Sequence, residues 1–233
     1  MSQSLDIRTS PLGAVNAALT VFYVAEGARP SGDALQHWTS TGLDWDETIA
    51  SAGFKGKQGQ IIDVLSAGGK RLLVLGSGSS SRNTPLNGWT DRGGSLMAKL
   101  QGIRATDIAV LIEESDASPA AIAELAAGLR LRHYKFDKYK SARPDEAPAP
   151  MTITLHVPDS AAADVAIANR GATVEGTLLA RDLVNEPANT LGTVEFAARA
   201  NELGELGVGD LNELTGDGHG DPRANSKPMV AAS

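Results

Sequence analysis

The sequence predicts an α/β fold in which a mixed, largely parallel sheet is flanked by helices. The main observation is an alternation along the chain, where short runs of β-branched and apolar residues are separated by stretches with helical spacing. With 42% hydrophobic and 21% charged residues in a chain of 233, a packed core is expected. Because only 4% of the residues are aromatic, that core must be built from Ala, Val, Leu and Ile.

Five stretches of the chain are predicted to form strands. Three are short apolar runs typical of buried strands, and one alternates β-branched with other residues: 18–25, 71–75, 107–112 and 152–157. Residues 60–66 are predicted to be a strand or one arm of a hairpin, since Gly68-Gly69 supplies a turn directly afterwards. Residues 76–81, Gly-Ser-Gly-Ser-Ser-Ser, are predicted to be a flexible loop.

Helices are predicted between these strands. Residues 35–49 have a mixed pattern that allows one helix, and Thr90 is placed to cap a helix that runs to about Leu100. Ser118 and Pro119 fit the N-cap and the first position of a helix with clean apolar periodicity. A final helix is predicted over residues 161–185, with a break near Gly171.

Charge and composition exclude several classes of function. A net charge of −7 and a pI of about 5.1 argue against a general nucleic-acid surface. The chain has no cysteine, so disulfides, thiolate nucleophiles and Cys-based zinc sites are impossible. No secretory signal is visible in residues 1–12, and no apolar run is long enough to span a membrane. We therefore expect a protein without a membrane partner in a reducing compartment.

Residues 178–189, Leu-Leu-Ala-Arg-Asp-Leu-Val-Asn-Glu-Pro-Ala-Asn, are the most informative stretch. They combine the end of an amphipathic helix with a sharp stop, because Pro187 keeps Glu186 out of the helical region. The wording closely resembles the segment that joins the two domains of the leucyl (cytosol) aminopeptidase family, the M17 metallopeptidases. A second block, residues 128–141, is similar to the family's N-terminal "G…YrFdkYKs" motif. Weaker echoes lie at residues 54–57 and 72–76.

The resemblance implies a macro-like N-terminal domain of a cytoplasmic, homohexameric enzyme. Such an enzyme removes N-terminal amino acids from peptides with two divalent metal ions, zinc or manganese. The family's metal ligands lie in motifs resembling GKGVTFDSGG and NTDAEGR, and neither occurs in this sequence. No catalytic, metal-binding or cofactor-binding residue is therefore assigned. The chain is expected to be a non-catalytic assembly or regulatory portion that needs no cofactor, and peptide is expected as a substrate only of the full-length enzyme.

The resemblance also sets the expected domain boundaries. Residues 1–150 are predicted to hold the first part of the macro-like domain, and residues 151–170 its last strand and a connection. Residues 171–206 are expected to form the connecting helix and the start of a truncated peptidase domain. Residues 207–233 are rich in Gly, Asp, Asn and Pro and are expected to be a disordered polar tail. A truncation, a fragmentary gene product and a shifted reading frame would each account for that tail.

The alternative function is a binding module. The 76–81 loop follows a strand, and macro domains bind ADP-ribose through such loops, although the loop lacks both GxGxxG spacing and a P-loop lysine. The one basic cluster is interleaved with aromatic residues and offers a local site for DNA: Arg130, Arg132, Lys135, Lys138, Lys140 and Arg143. The competing interpretation has the aromatics packed inward, with Phe136 as a core anchor and solvated Lys and Arg heads.

Histidines and serines give little support for other chemistry. No HExxH zinc site and no G-x-S-x-G elbow occurs in the sequence. His156 lies in a predicted strand and is interpreted as structural. His219 stands between Asp217 and Asp221 in the tail, where loose metal binding is the less favoured interpretation.

Overall fold

The computed structural model describes residues 4–65, 69–79, 85–103, 105–140 and 149–205. The chain divides into two compact units, Met1–Leu179 and Ala180–Ser233. The predicted polar tail, residues 207–233, and most of the proline-rich stretch 143–150 lie outside the described residues. The domain boundaries expected from the sequence stay a prediction.

One six-stranded sheet organises the first unit. The strands are β1 (Leu5–Pro11), β2 (Leu19–Ala25), β3 (Ile61–Leu65), β4 (Arg71–Gly78), β5 (Asp107–Leu111) and β6 (Met151–Val157). Their order in the sheet is β1-β6-β5-β2-β4-β3. Every neighbouring pair is parallel except β3 and β4, which are antiparallel. This confirms the predicted mixed, largely parallel sheet, and it makes β3 the arm of a hairpin.

The described part of the chain also forms six helices. Their bounds are α1 (Gly32–Thr39), α2 (Trp45–Ala52), α3 (Leu86–Ile103), α4 (Pro119–His133), α5 (Ser160–Asn185) and α6 (Thr193–Glu205). Ser118 caps α4 as predicted, since its Oγ accepts a hydrogen bond from the Ala121 N–H at 3.2 Å. The predicted stop before Pro187 is also confirmed, because α5 ends at Asn185, whose Nδ2 donates to the Arg181 carbonyl at 2.8 Å.

Two hydrophobic cores lie on opposite faces of the sheet, because successive side chains of a strand point to opposite sides. In β2, Leu19 and Val21 face the larger core with α3, α4 and Ala163 of α5. Phe22 and Val24 face the smaller core with α1 and α2. That smaller core holds a group of edge-to-face aromatic rings, Trp38, Trp45 and Phe54.

One strand was missed, and three predictions about helices were wrong. No strand was predicted near the N-terminus, yet β1 pairs in parallel with β6. The predicted helix 35–49 is two helices, because the chain turns at Gly42 (φ +72°) and Asp44 caps a new helix. Helix α3 begins at Leu86 and not at Thr90, whose Oγ1 instead donates to Glu124 at 2.7 Å. Helix α5 is continuous across Gly171, since nothing packs against that position to bend it.

The packing of α3 against α4 depends on glycine. A Cβ added at Gly128 would overlap the Thr90 carbonyl oxygen, and one added at Gly93 would overlap the Leu125 carbonyl oxygen. The two helix backbones therefore approach more closely than any side chain would allow. Gly128 opens the block that resembles the family's N-terminal motif, and this close approach is the physical reason for glycine there.

We expect Gly128→Ala to destabilise the protein by about 1–3 kcal/mol, the usual scale for an overpacked core, because α4 must move away from α3. Urea unfolding followed by far-ultraviolet circular dichroism measures the change.

The matched control is Gly176→Ala in α5, where an added Cβ meets no atom within 4 Å. We expect that variant to be more stable than the parent by about 0.5–1 kcal/mol, because alanine costs less backbone entropy in a helix. Equal effects of the two substitutions would contradict the close helix approach.

Candidate functional site

The carboxyl edge of the sheet between β2 and β5 is the expected position of a ligand site in this fold. The chain leaves β2 toward one end of the sheet and leaves β5 toward the other, so the strand order reverses at this pair. Ligands of open α/β sheets bind in the crevice at such a point. The segments that follow β2, β4 and β5 border this crevice. One of them is the Gly-Ser stretch, residues 76–81, which the sequence offers as a phosphate-binding loop.

The Gly-Ser stretch is not the predicted loop in its first part, because Gly76–Gly78 belong to β4. The Gly76 N–H donates to the Gln60 carbonyl at 2.9 Å, and the Gly78 N–H donates to the Gly56 carbonyl at 2.9 Å. Both amides are therefore engaged by the chain itself. Of the remaining loop residues, Ser79 follows the strand, and Ser80 and Ser81 lie outside the described residues. Gly56, the acceptor for Gly78, belongs to the segment 54–57 that weakly resembles the family.

Glu113, just after β5, fills the N-terminus of α1. Its carboxylate accepts hydrogen bonds from the Asp33 N–H at 2.8 Å and the Ala34 N–H at 3.2 Å. Gly32 (φ +54°) makes room for it, since a Cβ there would overlap Glu113 Oε1. A helix N-terminus attracts anions through its free N–H groups and dipole. In this structure an internal carboxylate already takes that place.

Glu114, the next residue, points to the other face of the sheet and meets a buried arginine. Arg92 of α3 has a side chain only 7% exposed, and its Nη1 lies 3.7 Å from Glu114 Oε1. Its Nη2 donates to the Ser77 carbonyl at 3.0 Å. The guanidinium carbon lies 4.4 Å from the centre of the Trp89 ring and 5.8 Å from that of Tyr23, which is the geometry of cation–π contacts.

Burial dominates the titration of this cluster. Burial raises the pKa of Glu114 to about 7, and Arg92 offsets only part of the effect. Burial and the nearby Glu114 together raise the pKa of the Tyr23 hydroxyl, against a smaller opposite effect of Arg92. Perturbed groups of this kind often mark functional sites, although structural ion pairs produce them as well.

Arg92 and Glu114 were both missed in the sequence. The available signal was an arginine on the apolar face of a helix, three residues after Trp89 and four before Leu96, which are both buried. A pair of glutamates directly after a buried strand was the second signal. Neither pattern indicates which residue is the partner, so the contact between Arg92 and Glu114 could not be predicted from them.

Candidate metal ligands are not clustered in the part of the chain that the structure describes. Within residues 4–65, 69–79, 85–103, 105–140 and 149–205, no group of three or more His, Asp or Glu side chains is suitably placed. His156 lies in β6 as predicted, and its Nδ1 is 3.1 Å from the Pro11 carbonyl oxygen. Burial lowers the pKa of both His37 and His133. His219, with its two aspartates, lies outside the described residues.

The basic–aromatic block, residues 130–140, begins in the last turn of α4 and continues beyond its end at His133. Phe136 is not the core anchor that was predicted, since it is only half-buried and packs its ring 5.9 Å from that of Tyr139. Tyr139 is 52% exposed, with Lys138 Nζ 5.5 Å from its ring centre. Lys135 and Lys138 are exposed as predicted. Tyr139 is therefore not packed inward, and Phe136 is covered only in part.

Among the described residues, no helix is both long and apolar enough to cross a membrane.

We expect Glu113→Ala to destabilise the protein by about 1–2 kcal/mol, because two N–H groups of α1 lose the carboxylate that satisfies them. Urea unfolding measures the loss. Glu26→Ala serves as the control, since that exposed carboxylate makes only a 4.0 Å contact with Lys57. The control should change stability by less than about 0.5 kcal/mol. Equal losses in the two variants would contradict the role of Glu113.

The comparisons with known proteins agree with the fold and the motifs. Residues 21–143 match the N-terminal domain of the cytosol aminopeptidase family. A probable cytosol aminopeptidase of Bradyrhizobium sp. is 36% identical over 213 residues, covering 89% of this chain and 42% of its own length. One from Rhodopseudomonas palustris is 36% identical over 215 residues, covering 90% and 43%. The chain thus spans less than half the length of these relatives.

Solved structures show the same fold. A tomato leucine aminopeptidase mutant superposes with a TM-score of 0.73 at 18% identity, covering 88% of this chain and 43% of that one. The bottromycin maturation enzyme BotP gives a TM-score of 0.60 at 25% identity, covering 84% and 38%. With its α/β sheet, its family blocks and a domain match over more than half of its residues, the chain belongs to the cytosol aminopeptidase family and carries that family's N-terminal domain.

Proposed function

We propose that this chain is the N-terminal, non-catalytic portion of a leucyl aminopeptidase-like metallopeptidase. The observation that carries the proposal is the match of residues 21–143 to the family's N-terminal domain, in a chain that covers only 42% of the Bradyrhizobium relative. The full-length protein would remove N-terminal amino acids from peptides in the cytoplasm. It would work as a homo-oligomer, a hexamer by analogy with the family, and this domain would contribute to assembly or regulation.

The residues of this chain do not fit the two-metal centre that the family implies. Such a centre needs several fixed carboxylates around two zinc or manganese ions, which polarise the scissile carbonyl and activate a bridging water. The two family motifs that carry those ligands are absent from the 233 residues. The carboxylates that the structure does place at the sheet edge, Glu113 and Glu114, are engaged by α1 and Arg92. We therefore assign no catalytic step to this chain.

Exposed apolar side chains in the second unit support a role as part of a larger protein. Val184, Val194 and Phe196 are 85%, 76% and 53% exposed. Apolar residues exposed together on neighbouring helices often mark a surface that another protein part covers. We propose that a peptidase domain covers these residues in the full-length protein, with the domain boundary near the end of α5.

The binding-module alternative has two forms, an ADP-ribose site and a nucleic-acid surface, and the structure supports them to different degrees. A macro-like ADP-ribose site would need free backbone amides at the sheet edge, and the amides of Asp33, Ala34, Gly76 and Gly78 are hydrogen-bonded within the chain. A nucleic-acid surface keeps one observation in its favour. The lysines and Tyr139 of the basic–aromatic block face solvent, where a ring can stack on a base and lysines can neutralise phosphates.

We expect the purified chain to show no turnover of a leucine chromogenic substrate, with or without Mn²⁺ or Zn²⁺, because it lacks the ligands for a two-metal site. The full-length Bradyrhizobium relative, assayed under the same conditions, is the positive control. Saturable, metal-dependent turnover that co-purifies with the chain would overturn the proposed function.

The nucleic-acid alternative makes a separate prediction. If the block contacts phosphates, the double variant Lys138→Ala, Lys140→Ala should bind duplex DNA more weakly at low salt. It should also lower the slope of log affinity against log salt by about two, one for each lost contact. Fluorescence anisotropy at several salt concentrations measures both quantities. Lys55→Ala, an exposed lysine on α2's side of the sheet, is the control. No binding by the parent at low salt would remove this alternative.

A further inference from the structure

Arg92 and Glu114 form a buried pair of charges at the edge of the sheet, and the proposed function does not explain their role. Arg92 connects four elements: it belongs to α3, donates to the end of β4, lies over the Tyr23 ring of β2 and faces Glu114 after β5. The side chains of Arg92 and Glu114 are only 7% and 18% exposed. Buried charges in a folded protein need close partners, because burial removes the water that would otherwise stabilise them.

The Glu114 charge is stabilised by Arg92 and by a hydrogen bond to the backbone of Glu114 itself, but one carboxylate oxygen is poorly satisfied. Glu114 Oε1 is buried and has no hydrogen-bond partner among the described residues, and the 3.7 Å to Arg92 Nη1 exceeds hydrogen-bonding distance. The Tyr23 hydroxyl, on the same side of the sheet, is likewise buried without a hydrogen-bond partner there. The other ionisable groups near Glu114 are Glu113 and Asp116 on its own loop, and both disfavour a further negative charge.

We propose that Glu114 is a proton-operated latch on the loop between β5 and α4. In the ionised state its carboxylate confines the Arg92 guanidinium and so ties this loop to α3. In the protonated state the ion pair is lost, and Arg92 keeps its hydrogen bond to Ser77 and its aromatic contacts. The loop also carries Glu113, which caps α1, and Ser118, which caps α4. Protonation of Glu114 therefore affects a loop that contacts three helices, α1, α3 and α4, at the edge of the sheet.

The expected range of pH follows from the burial of Glu114. Burial raises its pKa in the folded protein to about 7 from an ordinary value of 4.5. A carboxyl whose folded pKa is raised contributes stability that is complete below the unfolded pKa and is lost as the pH rises through the folded pKa. The melting temperature of the parent should therefore fall, relative to that of Glu114→Gln, between pH 4.5 and pH 7. The latch changes state close to neutral pH.

The indole N–H of Trp89 reports the state of the latch, because the Arg92 guanidinium lies against its ring. In ¹H–¹⁵N spectra, assigned with Trp38→Phe and Trp45→Phe, we expect the Trp89 indole signal to titrate with a midpoint near pH 7. The titration should persist in Glu113→Gln, with a lower midpoint because a neighbouring negative charge is gone, and should vanish in Glu114→Gln. The histidines are common to all these variants, so they cannot produce the difference. A Trp89 signal that is flat between pH 5 and 9, or that titrates unchanged in Glu114→Gln, would overturn the proposal.

A second measurement covers the case in which Glu114→Gln does not fold. The ¹³C shift of the Glu114 carboxyl carbon in the parent gives the midpoint directly and needs no variant. A midpoint near 7 supports the latch, and a midpoint below about 5 overturns it. Because neither measurement involves peptidase activity, failure of the latch would leave the proposed function intact.

Discussion

Two consecutive glutamates after β5 connect the edge of the sheet to helices on both of its faces. Because neighbouring residues of an extended chain point to opposite faces, Glu113 reaches α1 on one face and Glu114 reaches Arg92 of α3 on the other. The sheet and its two cores supply most of the stability through burial of apolar surface. At the edge of that apolar packing, Glu113 accepts hydrogen bonds from the free N–H groups of α1, and Glu114 faces the charge of Arg92.

This arrangement has a functional consequence. The same edge of an open α/β sheet commonly binds an anionic ligand, using helix N-termini and amides of the loops that follow the strands. Here a carboxylate of the chain occupies the helix terminus, and carbonyl groups of residues 56 and 60 accept the bonds of Gly78 and Gly76. The described amides of Asp33, Ala34, Gly76 and Gly78 are therefore bound within the chain and do not offer free N–H groups to an anion.

Much of the fold could be predicted from the sequence because its signals are local. The apolar runs of β2, β4, β5 and β6 and the Ser118-Pro119 start of α4 are legible within a few residues. Strand β1 is not, since its residues are at most half-buried and it is ordered by pairing with β6, almost 150 residues later in the chain. The contact of Arg92 with Glu114 also depends on tertiary packing. Both residues can be seen in the sequence, but the packing of α3 against the sheet, which brings them together, cannot be predicted from it.

The most direct test of this account is a titration with ADP-ribose followed by the backbone ¹H–¹⁵N signals of the chain. If the sheet edge is closed by its own groups, the amides of Asp33, Ala34, Gly76 and Gly78 should keep their positions up to millimolar ligand. Saturable shifts of these four signals would show that the edge opens to a ligand. The domain would then be a binding module, and the structural role assigned to Glu113 would be wrong.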